Sequence, residues 1–213
     1  MKNYKLILFD WDGCLAKNLD LWLEVYKQVF LINKLHPSEK EIIDICFGNQ
    51  VGPSLIGIKN LDEFYQNINK ILLTKYPACP LNSNAINILN YLNELNKVVG
   101  LVTSSFRKKI EDALKYNNIQ QLFNFTLTYD EVKKQKPDPA IIIKSLEISG
   151  LSKAETVIIG DSPHDIDAAR NAGIDSILYF PLRHKKYYQL SELKKSKPTF
   201  IIKDFTEIKT IIK

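Results

Sequence analysis

Asp10 and Asp12 stand two residues apart at the end of a short apolar run, and Gly13 follows them. A backbone turn at that glycine can aim both carboxylates into one cleft. Like charges held so close need a counterion. Carboxylate and carbonyl oxygens favour a hard cation such as magnesium, which keeps several waters and leaves room for a phosphate oxygen. Taken alone, an Asp-x-Asp-Gly run serves equally well as a turn. Three further places carry the groups that would make it a reaction centre: Thr103-Ser104-Ser105, Lys136, and Asp161 with Asp165.

Thr103 and Ser104 close an apolar segment, where their hydroxyls could donate to a phosphate alongside the amides of a following helix. Their plainer use is as helix caps. Lys136 sits in Lys136-Pro137-Asp138-Pro139, where two prolines restrict the backbone and let the side chain be aimed reproducibly. Its ammonium beside Asp10 would attract phosphate, offset carboxylate repulsion and keep Asp10 ionised. Asp161 ends the apolar run Val157 to Ile159 and completes a metal set with Asp10 and Asp12. Asp165 falls in the first turn of the next helix, where the dipole favours an anion, and is expected to support the site without touching the metal.

These residues converge only if the chain folds as alternating strands and helices. Short β-branched runs at 6–10, 98–104, 125–128, 156–161, 176–180 and 199–202 read as strands, several of them apolar at successive positions as buried parallel strands are. The fold class expected is α/β, a doubly wound, mostly parallel, Rossmann-like sheet. Reactive groups then gather at the carboxyl ends of its strands. The stretch between the first two strands is too long for one crossover helix and shows helical periodicity without a clear strand. Leu19, Leu23, Tyr26 and Phe30 share one stripe, and further helical patterns cover 38–47, 61–76 and 82–96. An all-helical cap domain is therefore expected at 17–80, inserted into an α/β core of 1–16 and 81–213.

Among 213 residues, 29 basic and 24 acidic side chains leave a formal charge of +5, which suits small anionic substrates. The basic runs 183–186 and 194–197 lack any interleaved reading motif, so nucleic acid is not an expected partner. Cys14, Cys46 and Cys79 have no paired spacing, which argues against disulfides and zinc. The N-terminal apolar stretch is too short for a signal peptide or a membrane span, so a cytoplasmic location without a membrane partner is expected. A monomer and a dimer are both open.

With these motifs in order, the sequence resembles the haloacid-dehalogenase superfamily, particularly its phosphoglycolate-phosphatase-like and β-phosphoglucomutase-like members. Asp10 to Leu15 is similar to the first motif, Thr103 to the second, Lys136 to the third, and Gly160 to Asp165 to the fourth. The resemblance implies a magnesium-dependent phosphatase acting on a small phosphorylated metabolite. Asp10 would be the nucleophile forming an aspartyl-phosphate. Asp12 would be the acid and base, its backbone carbonyl binding the metal. It also implies that substrate choice lies in the cap, where Asn49 and Gln50 in the run Phe47 to Gly52 are candidate contacts; a polar helix connection explains that run equally well. Asp12 disfavours dehalogenase chemistry, since relatives of that kind generally lack this acid. Two alternatives are a phosphosugar mutase, which uses the same two aspartates, and a catalytically silent binding protein. Trp11, Cys14, Ser104 and the run Ala16-Lys17-Asn18 depart from the family's usual residues.

Overall fold

Leu6–Phe9 (β1) consists of four apolar residues whose side chains are all buried, as a strand covered on both faces requires. The computed structural model describes residues 2–213. β1 pairs in parallel with Val98–Val102 (β2) on one side and Thr156–Gly160 (β4) on the other. Phe125–Leu127 (β3), Asp175–Tyr179 (β5) and Phe200–Ile202 (β6) complete a six-stranded parallel sheet in the order β3-β2-β1-β4-β5-β6. The order reverses between β1 and β4. The crevice at their carboxyl ends is where such sheets bind ligands.

Alternate strand residues supply two cores. Ile7, Phe9, Val99, Leu101, Val157 and Ile159 join the cluster that includes Ala85–Glu94 (α5), Arg107–Tyr116 (α6) and Ile208–Ile211 (α10). Leu6, Leu8, Val102 and Ile158 face the opposite way, onto Ala140–Ser149 (α7) and Pro163–Ala172 (α8). The small buried side chains Ala168, Ala169 and Ala172 let α8 approach the sheet closely. Leu190–Leu193 (α9) closes a smaller cluster over β5 through Leu193, Leu178 and Phe180.

Between β1 and β2 the chain forms five helices, Leu19–Ile32 (α1), Glu39–Cys46 (α2), Gly52–Ile56 (α3), Leu61–Lys75 (α4) and then α5. α1 and α4 meet through aromatic rings, Phe30 on Phe64 with centroids 5.0 Å apart and Tyr26 on Phe64 at 6.0 Å. Ser38 and Glu41 form a reciprocal capping box at the start of α2. Gly52-Pro53, a pair that more often marks a turn, instead opens the short α3, with Pro53 in the first turn of the helix, where its missing N–H costs nothing. The two connections to the sheet run side by side: Ala16 bridges Leu81, and the Lys17 amide donates to the Pro80 carbonyl at 2.8 Å.

Candidate active site

Asp10 extends β1 by one residue, its amide donating to the Ile159 carbonyl of β4 at 2.9 Å, so its side chain emerges at the point where strand order reverses. Lys136 reaches the same point from the loop before α7. Its ammonium donates to Asp10 Oδ1 and to Asp165 Oδ1, each at 2.6 Å, and to the Val102 carbonyl at 3.3 Å. All three side chains are almost completely buried. Burial opposes the lysine charge, but the two carboxylates outweigh it and hold Lys136 protonated. Burial also pushes at Asp165, where Lys136 and the Ser162 donors prevail and keep its carboxyl below the usual range. Asp10 fares differently. Burial pushes it up to about 8 against the pull of Lys136, with Asp165 and Asp12 adding to the rise. One ammonium shared between two buried carboxylates does not fully offset the desolvation of the second.

Asp161 follows β4 and is buried, and among the described residues its Oδ2 has no hydrogen-bond partner. Burial and the charges of Asp10 and Asp165 drive its carboxyl well above the usual range. Oxygens of Asp10, Asp161 and Asp165 lie within 4.8 Å of one another. Both Asp165 oxygens are already engaged, Oδ1 by Lys136 and Oδ2 by the Ser162 hydroxyl at 2.7 Å and amide at 3.2 Å. An orphaned buried carboxylate oxygen beside a second carboxylate could hold a cation, and an all-oxygen set suits magnesium or a similar hard ion. The backbone is shaped around it. A Cβ on Gly13, which has φ +82°, would lie 2.3 Å from Asp161 Oδ2, and one on Gly160 would lie 2.3 Å from Asp165 Cγ.

The Asp12 carboxylate points away from this cluster, toward the helices between β1 and β2. Oδ1 accepts from Asn18 Nδ2 at 2.6 Å, Trp22 Nε1 at 2.8 Å and the Tyr76 hydroxyl at 2.9 Å. Oδ2 accepts from the Ser105 hydroxyl at 2.7 Å. Thr103 is wholly buried and its Oγ1 accepts from the Ser105 amide at 3.1 Å, while the exposed Ser104 lines the cleft. The cleft measures ≈ 1580 Å³ and runs from Asp10 and Asp12 to α2, α4 and the loop that holds Asn49 and Gln50. Asn49 spends its side chain locally, on the Ile45 carbonyl and the Val51 amide. Gln50 spans the cleft, its Oε1 accepting from the Tyr129 hydroxyl at 3.3 Å. Gly48 of the same loop packs on His164, where a Cβ would fall 2.3 Å from the imidazole.

The family model for haloacid dehalogenase-like hydrolases matches residues 7–179, a span that holds every one of these groups. The chain belongs to that family. This hydrolase is 25% identical over 223 residues to the pyrophosphatase PpaX of Bacillus mycoides, with 97% of this chain and 95% of the relative covered. In fold it is similar to the crystal structure named "putative phosphoglycolate phosphatase" from Lactobacillus plantarum, with a TM-score of 0.86 at 20% identity, covering 98% and 99% of the two chains. It is also similar to a "putative beta-phosphoglucomutase" from Thermotoga maritima, with a TM-score of 0.73 at 21% identity over 99% and 98% of the chains.

Of the four side chains around the hydrolase's Asp12, the sequence pointed to Ser105 only as the end of the run Thr103-Ser104-Ser105 and gave no part in the site to Asn18, Trp22 and Tyr76. Asn18 stood out only as a departure from the family's usual residue. It receives the Gly13 amide at 3.0 Å while donating to Asp12, so it fixes the turn and the carboxylate together. Trp22 and Tyr76 lie on helical stripes that read as core. His184 is buried against Asp161, with its Nδ1 3.9 Å from Oδ2, and burial lowers it to about 3, so it is a neutral wall of the site.

Proposed function

We propose that this hydrolase is a magnesium-dependent phosphatase, a phosphoric monoester hydrolase that cleaves a small phosphorylated metabolite through an aspartyl-phosphate on Asp10. The observation that carries the reading is the Lys136 ammonium at 2.6 Å from both Asp10 and Asp165, next to the orphaned Asp161 oxygen. That grouping combines a nucleophile, a fixed positive charge for phosphate and a cation site. The names of the relatives, a pyrophosphatase and a phosphoglycolate phosphatase, support phosphoryl transfer to water.

Asp10, Asp161 and the Asp12 carbonyl would hold the ion, which when bound supplies positive charge to the phosphate oxygens. The chain's own residues do the rest. Asp10 attacks phosphorus in line with the departing oxygen, and Lys136 stabilises charge on the equatorial oxygens. Thr103 and Ser104 add hydrogen bonds. Asp12 gives a proton to the leaving oxygen and then takes one from the water that cleaves the acyl phosphate. Asp165 orients Lys136.

Residues 17–80 form the cap of this reading, moving on the paired connections at Ala16 and Leu81 and bringing Asn49 and Gln50 over the substrate. The test is phosphate release from a panel of metabolites with magnesium and with a chelator. Magnesium-dependent release, with a labelled phosphoryl group trapped on Asp10, is expected; release that survives chelation, or a label elsewhere, overturns it. A β-glucose 1-phosphate arm distinguishes water from sugar as the acceptor, since a mutase would form glucose 6-phosphate without free phosphate.

A further inference from the structure

Lys109 projects from the first turn of α6 into the cleft. Its ammonium lies 5.4 Å from the centre of the Trp22 ring, 5.7 Å from Tyr76 and 5.8 Å from Phe106, and donates to Asn69 Oδ1 at 3.0 Å. Among the described residues it pairs with no carboxylate. The cleft's other enclosed cation, Lys136, is held by two aspartates, and Lys40 and Lys186 at the rim are paired with Asp44 and Asp20. Lys185 is exposed. Lys109 is thus a half-buried charge left with aromatic faces and one amide oxygen. Burial lowers its ammonium from the ordinary lysine range, with Asp12 opposing. An arriving anion would find it already aimed and largely desolvated.

Its place relative to Asp12 says which part of a substrate it meets. Trp22 and Tyr76 both donate to the Asp12 carboxylate, and both present their rings to Lys109. Asp12 serves the leaving-group oxygen, so a leaving group extending past it, away from Asp10, reaches Lys109 next. We propose that Lys109 binds a second anionic group carried by the leaving group, and that the preferred substrates are phosphate esters or anhydrides whose leaving group bears a carboxylate or a second phosphoryl. This rests on the phosphatase reading above.

The test compares kcat/KM for phosphoglycolate, inorganic pyrophosphate and 2-hydroxyethyl phosphate, the last differing from the first in having an uncharged leaving group, with magnesium present. In the wild type the two substrates with a charged leaving group should be favoured over the one without by about 30-fold or more, the effect of one well-placed charge pair. In Lys109→Met that ratio should collapse to within about threefold, through KM, and Lys109→Arg should keep most of it. Whichever of the two substrates with a charged leaving group loses more identifies the group bound. A ratio unchanged in Lys109→Met, or a parallel loss on all three substrates as expected of a mere cap-to-core tether, overturns the proposal. If the wild type releases phosphate from none of the three but does so from other members of the metabolite panel, this proposal is overturned while the phosphatase reading stands; release from no member of the panel overturns both.

Discussion

In the proposed reaction the chemistry at Asp10 depends on a buried carboxylate beside one lysine that must serve two acids. Asp10→Asn removes the nucleophile yet leaves an amide oxygen for Lys136 to reach. Turnover should fall by at least about 10³-fold, while the melting temperature measured in chelator at pH 8 stays level or rises. Near-wild-type phosphate release by this variant would dismiss Asp10 as the nucleophile. Asp12→Asn should slow alkyl phosphates far more than nitrophenyl phosphate, because nitrophenolate leaves without a proton; equal losses would count against the acid role. Asp10, Asp12, Asp161 and Asp165 were legible in the sequence because each follows an apolar run that fixes where it emerges, and Lys136 because two prolines follow it closely. Thr103 was legible only as a position, since its hydroxyl's partner, the Ser105 amide, depends on a turn that residue types do not announce. The ring of donors around Asp12 was hidden for another reason. Trp22 and Tyr76 are apolar by periodicity, and only the packing of α1 and the end of α4 beside β1 turns their polar edges toward an acid 10 and 64 residues away in the chain.

The helices between β1 and β2 hold the acid as much as the sheet does. Tyr76→Phe deletes one donor to Asp12 without changing the ring, and the loss of kcat, by about tenfold, should be greater for alkyl than for nitrophenyl phosphates. A loss confined to KM would assign Tyr76 to binding instead. Gly48 joins the other end of this region to α8, with φ +71° and no space for a Cβ against His164. Gly48→Ala should raise KM several-fold by holding the loop off the core, and adding His164→Ala should restore part of the loss, the remainder being backbone strain. No restoration in the double variant would exclude the contact as the cause. All six strands and the four longer helices on this side of the sheet could be read from periodicity, as could the insertion from its length. The five-residue α3 could not, because a Gly-Pro start carries the same residues as a turn. That Gln50 would cross the cleft to Tyr129 while its neighbour Asn49 closed a local turn was equally out of reach.

At the scale of the whole protein, the acidic cluster makes stability depend on pH and on the cation together. The folded state raises Asp10 to about 8 and Asp161 higher than its usual range, so it binds more protons than the unfolded chain from about pH 4 upward. Without a divalent ion, stability should therefore fall as pH rises through that window to about 8. Asp165, lowered, and Lys136, raised, keep their charges above about pH 5 and contribute no slope there, while His184, lowered to about 3, opposes the fall only up to about pH 6.5. The melting temperature in chelator should drop between pH 5.5 and pH 8, and the increment from magnesium should grow over the same interval. A melting temperature that climbs with pH in chelator, with a constant magnesium increment, would show that these carboxylates are not the ion's ligands. Trp22 has one further use. Its indole edge donates to the acid, its face meets the Lys109 ammonium, and Trp11, the other tryptophan, is sealed in the core. The protein therefore carries a built-in optical probe between the Asp12 carboxylate and the Lys109 ammonium, and emission from Trp22 should shift on each turnover without any label being attached.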